Sequence, residues 1–415
     1  MTASTTATER GGSAPPLDEA RVIALVGAVQ FVNVLDFMMV MPMGPDFARA
    51  LSIPLSSIGA IGASYGAAAS VAGVVGALFL DRFDRRSALG VALFGLVAGT
   101  LLGGFATGFG SLVVARLLAG AFGGPATSLA VAVVADVVPP ERRGVAMSKV
   151  MGAFSVASVL GVPAGLELAR LFGFRAPFFA VGGLGLLVAL AVLVSLPPLR
   201  MHLAEHARAV ARTPFFEPTI VLSLVSTACI MAGNFALIPN LSSYVQLNLG
   251  YPRSHMGFLY FFGGIAAFVT MRLVGPLVDR RGSAPIIGLG TLLYALVVLT
   301  AFVLPIPGYP PVLAYVAFMS ANSVRFVPNQ ALQSRVPTVD RRARFLSAQS
   351  AVQHLASATG AYAASLFLTE GPGHRLVGLE HVALGAVVLS LVVPAIAVMV
   401  ERRVRARESS RMEIR

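Results

Sequence analysis

The chain has 415 residues, of which 56% are hydrophobic and 12% charged, and its mean hydropathy is +0.80. A soluble domain carries about 25% charged residues, so this composition excludes a water-soluble globular protein and points to one that crosses a membrane many times. The net charge of +12 invites a nucleic-acid partner, but the arginines gather in short clusters between apolar runs, as cytoplasmic membrane loops do, and no nucleic acid is expected.

Residues 1–21, beginning MTASTTATERGGSAPPLDEA, are polar and lack the apolar core and cleavage site of a signal peptide, so a flexible cytoplasmic N-terminus is expected. Apolar runs of spanning length follow at 22–43, 56–80, 87–107, 111–136, 145–168, 176–197, 218–242, 255–278, 284–304, 311–335, 345–369 and 376–400. About 20 residues at 1.5 Å each cross the ~30 Å hydrocarbon core, so this is an all-α membrane protein of twelve transmembrane helices. The single cysteine, Cys229, lies within a run, so neither a disulfide framework nor a cysteine metal site is expected.

Span 1 contains FVNVLDFMMVMP, with Asn33 and Asp36 inside an otherwise apolar stretch. An acid at the centre of a membrane helix costs roughly 2.5–3.5 kcal/mol, so Asp36 is the first functional candidate. Span 2 offers Tyr65, either a cavity aromatic or a packing residue. Span 4 carries Arg116, about five residues inside its outer end and therefore within reach of Asp36, unless it snorkels to the surface. Span 5 contains Gly161, Pro163 and Gly165, a place where a helix can bend.

Residues 198–217 are polar and basic and divide the spans into bundles at 22–197 and 218–400, followed by a cytoplasmic tail at 401–415. An internal repeat supports that division. An offset of 198 residues lays Gly59 on Gly257, Asp81 on Asp279, Arg82 on Arg280 and Pro139 on Pro337; an offset of 199 lays Arg142 and Arg143 on Arg341 and Arg342. The halves are therefore parallel copies, with a site expected between them near the midplane. At the first offset Asp36 falls on Asn234 and Phe37 on Phe235, so the second half keeps a polar group there that does not ionise.

In span 10, Asn322, Arg325, Asn329 and Gln333 fall within about 80° of one another on a helix of 100° per residue, and span 11 adds Gln349, Gln353 and His354. These polar stripes are expected to line a central substrate cavity, the alternative being hydrogen bonding between helices. Arginines concentrate in alternate loops, which places both termini in the cytoplasm.

Two loops carry a family signature. ALFLDRFDRR after span 2 and GPLVDRRG after span 8 resemble the G-x-L-x-D-R-x-G-R-R loops of the major facilitator superfamily, although Ala77 and Asp84 replace glycines in the first copy. RLLAGAFGGP in span 4 and GVPAG in span 5 resemble patterns of its drug and sugar efflux proton antiporters, with Val162 separating a Gly and Pro that are commonly adjacent there. The resemblance covers about Val22 to Val400. It implies the major facilitator fold, two pseudo-symmetric six-helix bundles that rock about a shared site, and a conformational latch at Asp81, Arg82, Arg85, Asp279, Arg280, Arg142 and Arg143. The function expected is proton-coupled efflux of a drug, sugar or natural product, with uptake of a small solute by symport or facilitated diffusion as the alternative. Asp36 and Arg116 would couple protons, Asn234 would join the substrate cavity, and the proton gradient would drive the cycle without a cofactor. The expected partners are substrate, protons and lipid, for a monomer in the inner membrane of a cell. No nucleophile–base pair, metal-ligand cluster or phosphate loop is present, so no enzyme and no ATP-driven pump is expected.

Overall fold

The computed structural model describes residues 19–139, 142–199, 217–304, 310–338 and 341–413, apart from the side chains of residues 77–79, 81, 342–343 and 410–413. Twelve long helical segments run through these residues. Ten are apolar enough to cross a bilayer on composition alone: spans 1 to 9 at Glu19–Leu51, Leu55–Gly76, Arg85–Gly104, Phe109–Val137, Arg143–Phe172, Arg175–Ser195, Pro218–Asn248, Arg253–Arg281 and Ser283–Val303, and span 12 at Leu379–Ser409. Spans 10 and 11, Pro311–Arg335 and Arg342–Phe367, are as long but carry the polar stripes. Each span overlaps its expected position, and the largest differences are at span 1, which runs eight residues further, to Leu51, and at the end of span 12.

Local chemistry sets the ends. Pro218 and Pro311 open spans 7 and 10, where a missing N–H costs nothing. Span 1 stops at Ser52, which takes a left-handed conformation with φ 52°. Two departures from expectation stand out. The segment expected as a tail at 401–415 continues span 12 as helix to Glu413, where Arg335 pairs with Glu408 and Arg407 donates to two carbonyls at the end of span 10. The otherwise helical chain also has one small antiparallel hairpin among the described residues, Thr369–Glu370 with Leu376–Val377, clipped to span 7 by Asn248. The expected linker at 198–217 and the N-terminal segment lie almost wholly outside the described residues.

The packing reproduces the repeat. In the first half, spans 2 and 4, 3 and 4, 3 and 6, 1 and 5, and 1 and 6 pack together; in the second half, the same partners recur as 8 and 10, 9 and 10, 9 and 12, 7 and 11, and 7 and 12. The halves join through two symmetry-related pairs, span 2 on span 11 and span 5 on span 8. Gly59 at the start of span 2 permits the first, since a Cβ there would lie 2.4 Å from the Ala361 carbonyl oxygen. The junction is one-sided. Away from the chain ends, Arg253 of span 8 grips Asp46 of span 1 at 2.8 Å and donates to the Leu166 carbonyl of span 5 at 2.9 Å, while Ser242 donates to the Pro42 carbonyl at 2.6 Å. Deeper in, Ser70 donates to the Ala351 carbonyl at 3.0 Å.

Candidate functional site

Asp36 lies in span 1 with 0% of its surface exposed, and Arg116 of span 4 is 1% exposed. They form a two-pronged pair: Nη1 donates to Oδ1 at 3.0 Å, and Nη2 lies 3.0 Å from Oδ2. The same Nη2 donates to the Asp36 carbonyl at 3.3 Å. Arg116 therefore does not snorkel; it turns inward because the bilayer offers no counter-charge and span 1 does. Thr100 of span 3 brings its hydroxyl to 2.7 Å from Asp36 Oδ1 and 2.8 Å from the Leu96 carbonyl. The guanidinium lies over the Tyr65 ring, 4.7 Å from its centroid. Tyr65 donates its hydroxyl to Asn33 Oδ1 at 2.8 Å, and Asn33 Nδ2 donates to the Gly123 carbonyl at 2.9 Å and to Thr127. The two expected cavity residues Asn33 and Tyr65 are thus bonded within the first half, as the support of the Asp36–Arg116 pair.

The second half builds a counterpart without the acid. Arg325 is 0% exposed and donates Nη2 to Asn234 Oδ1 and, at 3.1 Å, to Asn322 Oδ1, and Nη1 to the Ser390 hydroxyl. Its guanidinium lies 3.8 Å from the Tyr294 ring centroid. Each half therefore holds one buried arginine over one tyrosine, paired with a span-1 or span-7 side chain at the pseudo-equivalent position. Where Asp36 supplies a charge, Asn234 supplies only a dipole. No described carboxylate reaches Arg325. Between the two centres the pseudo-equivalent residues Phe37 and Phe235 meet, with ring centroids 5.6 Å apart, and Tyr65 and the half-buried His354 close on Phe37 at 5.1 and 6.4 Å.

The polar stripes divide. Asn322, Gln353 and His354 are half-buried, and His354 meets Phe37 of the other half. Asn329 and Gln333, expected in the cavity stripe, turn instead to span 7: Asn329 accepts from Ser226 at 2.9 Å and Gln333 donates to the Ser223 carbonyl at 2.7 Å. Gln349 bonds Gln330 of span 10 at 3.0 Å. Pairing across helices satisfies these amides where lipid and open space would not.

The expected latch is likewise uneven. The Asp81 side chain lies outside the described residues, and Arg82 is exposed. Arg85 is buried and meets Asp136 at 3.4 Å, Arg142 pairs with Glu19 at 2.8 Å, and Arg143 donates to the Val138 carbonyl at 2.8 Å. Asp84, which replaces a glycine of the signature, caps span 3 by accepting from the Ser87 amide at 3.1 Å and holds the end of span 6 through the Leu199 amide at 2.6 Å. At the pseudo-equivalent place Gly282 takes φ +86°, and Glu401 of span 12 accepts from the Ser283 and Ala284 amides. Asp279 and Arg280 are exposed and form no ion pair with a described residue. In span 5, the five residues Ala157–Gly161 form a wide π turn just before Pro163, because the proline nitrogen has no proton to continue the ladder. Gly161 lets that turn lie against Leu35 of span 1, and Gly165 follows it beside Met39.

Sequence reasoning missed Thr100, Tyr294, Ser390 and the Asp46–Arg253 clasp. Hydroxyls and tyrosines are too common in membrane helices to signal a role, and the clasp joins loop-end charges 207 positions apart.

The family model described as the Major Facilitator Superfamily matches residues 26–361 and 223–414. The chain is 25% identical over 360 residues to the inner membrane transport protein YdhP of Escherichia coli (strain K12), covering 84% of this chain and 89% of that protein. It is 26% identical over 252 residues to the chloramphenicol resistance protein of Streptomyces lividans; that match spans 60% of this chain and 64% of the relative's length. In three dimensions it is similar to the crystal structure of a D-xylose–proton symporter, at a TM-score of 0.74 and 18% identity, covering 91% of this chain and 96% of that one. With two pseudo-symmetric bundles and this match along nearly its full length, the chain belongs to the major facilitator superfamily of membrane transporters.

Proposed function

We propose that the protein exports a small organic molecule in exchange for protons, with Asp36 as the group that binds and releases the proton. The carrying observation is the fully buried Asp36–Arg116 pair, set one residue from the Phe37–Phe235 contact at which the halves meet. Arg116 neutralises the buried carboxylate in the conformation described; a motion that draws Arg116 away leaves Asp36 without its counter-charge, and the proton is the cation that takes its place. Thr100 suits both states. Its hydroxyl donates to the carboxylate, and when Asp36 is protonated the acid donates to Thr100 Oγ while that hydroxyl turns to the Leu96 carbonyl, already within reach.

With the chain ends taken as cytoplasmic from the arginine-rich loops, the Asp46–Arg253 clasp lies on the far side, and the cycle alternates between this clasped arrangement and one opened there. Rocking of the halves about the Phe37–Phe235 contact then exposes the site to the other side. The cycle makes and breaks no covalent bond in the substrate and needs no cofactor, and a monomer in the inner membrane of a bacterial cell suffices. Export is favoured over uptake by the relative named for chloramphenicol resistance and by the glycine–proline turn of span 5.

Everted membrane vesicles test this directly. Acidifying the lumen should drive accumulation of an exported solute, with chloramphenicol as the first probe in a panel, and each addition should discharge part of the pH gradient. Accumulation only in right-side-out vesicles with acid outside would replace export by symport.

A further inference from the structure

We infer that the Arg325 centre is a binding site for the anionic group of an organic acid, so that the transported molecules are lipophilic carboxylates or chemically similar oxyanions; the inference rests on the reading that the chain moves small organic molecules.

The comparison of the halves carries it. Arg116 and Arg325 each lie over an aromatic face and each meet a side-chain oxygen from the pseudo-equivalent position of span 1 or span 7; the Thr100 hydroxyl bonds Asp36, while the Ser390 hydroxyl bonds Arg325 itself. Arg116 is neutralised by Asp36. Arg325 meets three neutral oxygens, from Asn234, Asn322 and Ser390, and so holds a full positive charge in the membrane interior with no counter-charge among the described residues. Dipoles can hold a buried cation in place, but they do not cancel its field, and an anion gains from that field most strongly where water is scarce.

The free donors sharpen the location. Nε of both arginines lacks a hydrogen-bond partner, so Nε alone does not distinguish them. The second half adds Asn322 Nδ2, a buried amide nitrogen with no partner, on a side chain whose Oδ1 is already held 3.1 Å from Arg325 Nη2. A carboxylate has two oxygens for two such donors, and charge-assisted bonds to a guanidinium are the stronger kind. Asn322 is half-buried while Arg325 is fully enclosed, so the approach lies on the Asn322 side of span 10. Phe235, next to Asn234 in the chain, packs on Phe37 and Phe37 on Tyr65, and these rings give the apolar body of the same molecule a surface to lie on. A neutral amide of equal size would keep the stacking and lose the ionic contact.

The test uses the purified full-length protein and a matched pair of probes, 1-naphthoate and 1-naphthamide. Binding is read by equilibrium dialysis and by the shift in thermal midpoint. The wild type should bind the naphthoate at least tenfold more tightly than the naphthamide, with a midpoint raised by the acid alone. Arg325→Gln should lose that preference. Asn322→Ala, a milder change that leaves the bonds to Asn234 and Ser390 in place, should weaken naphthoate binding about three- to tenfold and leave naphthamide unchanged. Equal binding of acid and amide to the wild type, or undiminished naphthoate preference in both variants, would overturn the inference. Proton-driven flux of naphthoate and of chloramphenicol is measured alongside: flux of chloramphenicol without a naphthoate preference defeats this inference alone, whereas naphthoate preference with no proton-driven flux of naphthoate itself defeats the transport reading instead.

Discussion

A guanidinium buried in a membrane protein must find a counter-charge or a set of dipoles, and the two halves of this chain use one solution each. The contrast makes the effect of substitutions at Asp36 predictable. Asp36→Ala leaves Arg116 buried without its main partner and should destabilise the protein by about 3–5 kcal/mol, the usual cost of breaking a buried pair from one side. Asp36→Asn recreates around Arg116 what Asn234 already provides around Arg325, so it should cost clearly less and still yield folded protein. Thr100→Val removes one hydrogen bond to the carboxylate and should cost about 1–2 kcal/mol. Thermal midpoints of the three purified variants in one detergent check the ranking; Asp36→Asn melting as low as Asp36→Ala would contradict it. The Asp36–Arg116 pair was legible in the sequence because an expensive residue needs a reason and helical rise gives depth. Thr100 and Ser390 were not, since a lone hydroxyl in an apolar run carries no cost that would flag it.

At the scale of the helix, spans 5 and 10 show what a pattern reveals and what it leaves open. The Gly161–Pro163–Gly165 segment was readable as a weak point, and the five residues that lead into Pro163, Ala157–Gly161, form a π turn because proline cannot donate. Pro163→Ala supplies the missing N–H and should let span 5 close to a regular α-helix, raising the thermal midpoint by the equivalent of up to about 3 kcal/mol and slowing transport several-fold if the wide turn is needed where span 5 rolls on span 8. Flux and melting measured on the same preparation check both signs, and unchanged values of both would count against a role for the turn. Span 10 is the counter-example. Its stripe of Asn322, Arg325, Asn329 and Gln333 was legible as polar, but the rotation of a helix within its bundle is set by its neighbours. Ser226 and the Ser223 carbonyl of span 7 take Asn329 and Gln333 out of the cavity. The departure of Asp84 from the loop signature has a similar explanation: it caps span 3 and pins span 6, whereas Gly282 leaves the corresponding cap to Glu401.

For the whole molecule, the repeat was the most informative feature of the chain, since the contacts between helices follow it pair by pair. The side on which the halves close was not legible, because it depends on two charges from distant loops. Asp46 and Arg253 are both about one-seventh exposed and meet through two nitrogens, a geometry stronger than an ordinary surface pair. Asp46→Asn or Arg253→Gln should shift the population toward opening on that side by about 1–2 kcal/mol, a factor of roughly 5–30. With Cys229 replaced by serine, a Ser243→Cys reporter, buried at this junction, should react correspondingly faster with an impermeant maleimide. The double variant should react no faster than the faster single one, because both remove the same contact; full additivity would place the closure energy elsewhere.

Proton coupling by Asp36 is most directly tested by flux in proteoliposomes containing wild type or Asp36→Asn, using a solute first shown to be transported by the wild type. The account predicts that Asp36→Asn abolishes uphill accumulation driven by a pH gradient and the accompanying proton movement, while exchange of labelled for unlabelled solute at equal pH continues. Accumulation by Asp36→Asn at the wild-type level under the same gradient would contradict it.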